Sequence, residues 1–499
     1  MNDILEYFHL NIGLKEKSRI FYVVVFLAVL CGITGFFNTP LTVGLFLLLF
    51  LAVVTLFFMH KARINDANFY LVFLIALAVH LAAVLFIHYS GFGFGGGSDF
   101  TGYHQNAVDI SYRIKEGNFS LDGLGLLNYY PVLIALIYAV TLPEVIIGNL
   151  FTAWLAALSV ILAYLIVLEI GGTKKTAFAA ALITAVYPSY LYFGSVLLKD
   201  TVVIPLVLVG MLLIIRILKN FFWPVFLAFF IILTMLIHLR FYVGYALMLT
   251  LVISWPLLSQ YNIKKRMAYW LAMVLLLGFS PFILGSGYYG SYHFKRFLNP
   301  DKITYFREIV YATNSPLSSQ PVPSPQPPAP QPLAPQPTSP QPTIIQPPAP
   351  QPEPPKKALE GSGSTFSVAV GLKDGPVIFL KNSFQSFIYS LLGPFPWQFN
   401  NKKQIVGLVE TIPWYLLIIA FFYYTVRFIK RNGISEFLKF YRFGFPLLLF
   451  SVLALGALSL FINNYGIIVR IRIPMFICLV SLMCVMFNET LEKSWPKKS

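Results

Sequence analysis

Residues 199–259 read KDTVVIPLVLVGMLLIIRILKNFFWPVFLAFFIILTMLIHLRFYVGYALMLTLVISWPLLS. Three apolar runs, 201–218, 221–237 and 241–259, follow one another with almost nothing between them. The ionisable breaks are Arg216 with Lys219, then His238 with Arg240. Each run comes close to the roughly 20 apolar residues a helix needs to cross a hydrocarbon core. Helices apolar on every side have no face to give to water, so this stretch belongs in lipid.

The rest of the chain agrees. Of its 499 residues 57% are hydrophobic and only 11% charged, with a mean hydropathy of +0.73. A soluble domain carries about 25% charged residues, so this chain has too little charge to cover itself against water. A soluble multidomain enzyme and a disordered protein are both excluded. Further apolar runs lie near 20–37, 41–59, 68–89, 144–169, 176–196, 267–285, 405–427, 444–463 and 467–487. The fold class expected is an all-α polytopic membrane protein with about 12 transmembrane helices. The run 131–142 is short and reads as a helix feeding the next span, not as a crossing.

Basic residues orient the spans. Net charge is +16, and in a membrane protein such an excess reads first as a topology signal, with no nucleic-acid partner implied. Lys15, Lys17 and Arg19 put the N-terminus in the cytoplasm. Counting onward, Lys61, Lys174, Arg216, Lys219, Lys264, Lys265, Arg266, Arg427, Lys430, Arg431 and Lys493 fall on the same side, as does the C-terminus. The opposite face keeps a first outer loop at 90–130, the turns near Ser195–Asp200, His238–Arg240 and Asn463–Gly466, and a long segment at 286–404. Cys31, Cys478 and Cys484 all lie in apolar runs, so no disulfide framework is expected.

Four regions follow. Residues 1–67 hold additional N-terminal spans, and 68–285 hold a core that includes the first outer loop. The outer segment 286–404 contains 18 prolines within 316–355, mostly in Pro-Gln and Pro-Ala steps, so no packed core forms there. An extended spacer of up to about 120 Å is expected. The apolar run 376–397 reads as an interfacial or re-entrant helix. The C-terminal spans occupy 405–499.

The outer turns carry the chemistry-bearing residues. A glycine run delivers Asp99, and Tyr103 and His104 follow one helical turn later. Ala107, Ile110 and Ile114 then recur at the spacing of a helix lying on the membrane surface. Asp99 is either a general base at the interface or the cap of that helix. Lys199 and Asp200 sit at a span's outer end, as an anchor pair or as ligands. Arg240 and Tyr242 stand where one span turns into the next. Arg470 and Arg472 lie within the first turns of the last span, against the basic-inside trend. Buried arginines in lipid need an anion, and a lipid phosphate is one candidate. Arg240, Arg470 and Arg472 are therefore expected to converge with Lys199 on one cavity that also receives Asp99, with Arg472 the first choice. No zinc-ligand spacing is present, and no protein-bound metal or other cofactor is expected.

The segments GGGSDFTGYHQNA, NYYPVLIALIYAV, YPSYLYFGSVLLKDTVVIPLVL, HLRFYVGYALML and VRIRIPM, in this order, resemble the membrane glycosyltransferases of the C superfamily. Within it they are similar to the phospholipid-carrier-dependent branch, akin to protein O-mannosyltransferases and aminoarabinose transferases. The resemblance covers about 90–260 and 463–487. It implies inverting transfer of a sugar from a polyprenyl-phosphate donor to a glycan, lipid or protein acceptor outside the plasma membrane. By position it makes Asp99 the base. Tyr103, His104, Lys199, Asp200, Arg240, Tyr242, Arg470 and Arg472 become substrate-side residues. The first loop departs from better-known members in carrying a single Asp, which leaves divalent-metal dependence open. Two other classes compete: a ligase or polymerase of surface polysaccharide, and a polytopic lipid or solute transporter. A transporter calls for internal repeats and polar breaks at midplane. The polar residues here gather on one face instead.

Overall fold

The computed structural model describes residues 38–62, 66–93, 98–121, 124, 126, 128–279, 375–395 and 407–492. The expected first span at 20–37, the glycines 95–97 and the Pro/Gln-rich spacer lie outside these residues. Among the described residues the protein is helical, with no strand. The helices are α1 Thr39–Lys61, α2 Ala67–Ser90, α3 Ser98–Lys115, α4 Tyr130–Val140, α5 Val145–Glu169, α6 Lys174–Ala185, α7 Pro188–Phe193 and α8 Asp200–Lys219. After them come α9 Trp223–Leu258, α10 Ile263–Val274, α11 Pro376–Leu392, α12 Gly407–Phe461 and α13 Tyr465–Glu492.

Eight stretches among them are long and apolar enough to cross a membrane. They account for nine of the expected runs, because α9 is folded on itself. At about 1.5 Å per residue a straight α9 would hold its ends some 50 Å apart. Instead the Phe221 and Trp255 rings lie 5.5 Å apart, and the Phe221 amide donates to Tyr261 Oη at 3.1 Å. The reversal is at Arg240, whose φ of −149° and ψ of 83° leave the helical region. In α12 the reversal falls at Gly433, whose φ of 81° suits glycine. There Phe428 and Phe437 come within 6.1 Å.

The run 176–196 is not one span. Pro188 has no N–H to give a preceding turn and drives Tyr187 out of the helical region, to φ −61° and ψ 119°. The chain therefore breaks into α6 and α7. The run 267–285 is described only to Phe279, where α10 passes into a single π turn, Leu275–Phe279. The run 131–142 forms the short α4, as its length implied.

Ion pairs and caps define two ends of the bundle. Asp66 caps α2, accepts from Tyr164 Oη at 2.5 Å and meets Lys174 Nζ at 3.5 Å. Glu169, at the end of α5, pairs with Lys219 at 3.0 Å and Arg216 at 3.6 Å. Arg442 donates to the Leu258 carbonyl. Among the described residues, Lys174, Arg216 and Lys219 thus gather at the Asp66 end. Helix α2 carries the chain about 36 Å away to the opposite end, where α3 begins at Ser98. There α3 buries Ala107, Ile110 and Ser111 and packs on α4. Helix α5, nearly three-quarters buried, is the post on which α1, α2, α6 and α8 lean.

Candidate functional site

The site is assembled at the Asp99 end from four separate pieces of chain. Helix α8 opens on Asp200, with Lys199 as the preceding residue, whose side chain makes no capping bond. The turn of α9 brings Arg240 onto Asp200. Arg240 Nε donates to Oδ1 at 2.9 Å and Nη2 to Oδ2 at 2.8 Å, a bidentate pair with both side chains buried. The third guanidinium nitrogen, Nη1, donates to Tyr242 Oη at 2.9 Å. Asp200 also stands at a helix start, where the aligned N–H groups favour negative charge.

Asp99 lies in the first turn of α3, and its carboxylate is 49% exposed. Arg470 Nη1, from the start of α13, donates to Asp99 Oδ2 at 2.8 Å. The Arg470 guanidinium rests over the Phe193 ring, 5.2 Å from its centroid, while its Nε is buried with no hydrogen-bond partner. An orphaned guanidinium N–H in a covered position is where an anion's oxygen would bond.

Lys199 ties the two ion pairs together. Burial, then the Arg240 guanidinium, push its ammonium down to about 8, against the opposing pull of Asp200 and Asp99. Arg470 is close enough to add to the downward push. The Tyr103 phenol, half-buried on α3, is pushed up to about 12 by burial first and by Asp200 and Asp99, while Arg240 works against that. Its ring meets Tyr130 edge-on at 5.1 Å. Asp99, Tyr103, Lys199, Asp200, Arg240, Tyr242 and Arg470 thus share one electrostatic neighbourhood.

Two residues singled out in the sequence face elsewhere. His104 Nδ1 is 3.0 Å from Tyr138 Oη, so its ring seats α3 on α4. Burial lowers its pKa, with Glu144 opposing. Arg472 is fully buried. Its Nε and Nη2 bond the Ser390 carbonyl at 2.9 and 2.5 Å, and Nη2 also reaches the Gly393 carbonyl at 2.6 Å. The guanidinium lies 5.4 Å over the Trp414 ring. It caps the C-terminal end of α11, where unpaired carbonyls and the helix dipole favour a cation. Two residues along a helix are about 200° apart in rotation, so Arg470 and Arg472 leave α13 on opposite sides.

Four contributors were not legible in the sequence. Phe193, under Arg470, is one aromatic among many in an apolar run. Asn128 bonds the Tyr103 hydroxyl and accepts from the Tyr130 amide at 3.1 Å. Ser390 and Gly393 act through backbone carbonyls, which no side-chain pattern announces.

No family model matches the chain, and no curated protein sequence matches it. What the arrangement can do must be taken from its chemistry. An exposed carboxylate stands beside an excess of cations at the rim of a bundle whose flanks are apolar. Such a site suits an anionic ligand with a lipid tail and a polar reactant approaching from water.

Proposed function

We propose that the protein is an integral-membrane glycosyltransferase. It moves a sugar from a polyprenyl-phosphate donor to an acceptor on the extracytoplasmic face of the plasma membrane, with inversion. In this reading the Asp66 end faces the cytoplasm, because Lys174, Arg216 and Lys219 gather there, and both termini face the same side by the basic residues of the sequence. The observation that carries the reading is the meeting of Asp99, Lys199, Asp200, Arg240 and Arg470 from four chain segments at one end of the bundle. Three cations against two carboxylates leave room for one anion. The order of the five segments that resemble the phospholipid-carrier-dependent glycosyltransferases supports it independently.

The chemistry assigns the groups as follows. The acceptor hydroxyl oxygen attacks the anomeric carbon from the face opposite the phosphate. Its proton passes to the Asp99 carboxylate. The bond from the anomeric carbon to the phosphate oxygen breaks, and its electron pair stays on the phosphate. Cations beside that phosphate stabilise the charge as it develops, so no strong general acid is needed there. Asp99 is exposed enough to meet an acceptor from water, and a positioned base of this kind contributes about 10²-fold or more.

The test uses the full chain purified in detergent. Lipids extracted from it are analysed by mass spectrometry for sugar-phosphate-polyprenyl species. Loss of the sugar from that lipid on adding a cell-envelope extract is then followed over time. Finding no such lipid bound and none consumed would sink the reading.

A further inference from the structure

The cations of the site are not equivalent, and the carboxylates tell them apart. Both oxygens of Asp200 are taken by Arg240, whose remaining edge is on Tyr242. The bonded oxygen of Asp99 is taken by Arg470. Lys199 precedes Asp200 in the chain, and local pairing between them is the simple expectation. That pairing is absent: among the described residues the Lys199 ammonium makes no hydrogen bond and no ion pair, and only the backbone carbonyl is bonded, by the Val202 and Val203 amides. Lys199 is half-buried and within electrostatic reach of the guanidinium groups of both Arg240 and Arg470. An ammonium in such a place has lost much of its water without gaining an anion, which is costly unless a ligand supplies one.

We propose that Lys199 is the group that grips the phosphate of the lipid donor, while Arg240 and Arg470 hold the carboxylates that frame it. This assignment rests on the glycosyltransferase reading for the identity of the phosphate's owner, but not for the presence of an anion site. One uncommitted ammonium fits one phosphate group. Arg240 acts by keeping Asp200 away from Lys199. The buried Nε of Arg470 is the second donor such a phosphate would meet.

The groups facing Lys199 are Asp200 beside it in α8, Arg240 from α9, Asp99 from α3 and Arg470 from α13. Arg240 is ion-paired with Asp200 and Arg470 with Asp99. The Lys199 ammonium, at about 8, changes charge between pH 7.5 and 9.5. It is cationic below its pKa and neutral above it, so phosphate affinity falls as pH rises through 8. A phosphate monoester is already fully ionised in that window, since its second pKa is about 6.

The experiment is calorimetric titration of the full detergent-solubilised chain with farnesyl phosphate, farnesol or inorganic phosphate. Wild type should bind farnesyl phosphate at least about 10-fold more tightly than farnesol, and about 10-fold more weakly at pH 9.5 than at pH 7.5. K199Q should lose about 10-fold in farnesyl phosphate affinity at pH 7.5 and leave farnesol unchanged. K199R, always charged, should bind at pH 7.5 and show no fall at pH 9.5. K199Q binding farnesyl phosphate like wild type overturns the proposal, as does K199R keeping the fall at pH 9.5. If K199Q does not fold, the K199R profile decides alone. Inorganic phosphate displacing the probe at equal concentration would uphold Lys199 as the anion ligand and overturn the lipid-donor reading.

Discussion

Arg240 and Asp200, 40 residues apart, meet as a two-toothed ion pair at 2.9 and 2.8 Å inside the Asp99 end of the bundle. The pair closes the α9 turn onto the start of α8. Removing one partner leaves a buried charge, which costs about 3–5 kcal/mol, whereas replacing both with apolar groups is often neutral. R240M is therefore expected to lower the unfolding temperature sharply. R240M/D200L should recover most of that stability and still fail in transfer. Thermal unfolding in detergent, read beside activity, checks both. A fully stable R240M single variant would contradict the pair's structural weight.

Asp99 gives a second prediction. D99N keeps shape but cannot take a proton, so transfer should fall by about 10²-fold or more. Affinity for the lipid donor should hardly change, since the acceptor is the partner of this base. Turnover at near wild-type rate would make Asp99 a helix-start residue and nothing else.

Arg472 should behave differently from Arg470. R472M removes the cap from α11 and leaves the Ser390 and Gly393 carbonyls buried without donors, at about 1–3 kcal/mol. Amide exchange in 386–392 should rise, and R472K, lacking the planar fork, should rescue only part of it. R470M is expected to leave that exchange unchanged. Equal effects of the two variants on α11 would refute the division.

Gly148 offers a packing test away from the charges. A Cβ there would meet a Leu197 methyl carbon at 2.6 Å and Tyr138 Oη at 3.0 Å. G148A must therefore push the segment that delivers Lys199, at a cost of about 1–3 kcal/mol. Its melting temperature should drop, and its donor affinity should weaken with the fold otherwise intact by circular dichroism.

Sidedness is checked in a cysteine-free background. S120C, after α3, should react with an impermeant thiol reagent in intact cells, and S435C, beside the Gly433 turn, should not. Labelling of S435C alone would invert the orientation and put the charged cluster in the cytoplasm.

What the sequence by itself determined is local. Runs of apolar residues set the membrane as solvent, since no helix could hide such a surface in water. The shortness of 131–142 marked it as a feeding helix and not a crossing, whereas the break at Pro188 inside the run 176–196 emerged only in the structure. The basic clusters marked one end of the bundle. Asp99, Lys199, Arg240 and Arg470 were legible as candidates because charge at the edge of an apolar run is conspicuous. Which charge meets which was decided only in three dimensions. Lys199 and Asp200 are neighbours in the chain, yet Asp200 faces Arg240. Arg470 and Arg472 are two residues apart, yet one faces Asp99 and the other the end of α11. The helix turns side chains by about 100° per residue, so adjacency in sequence does not imply a shared face. The partner that arrives there is supplied by a distant segment, and only the tertiary fold brings Arg470 of α13 to α3 and α7 and Arg472 to α11.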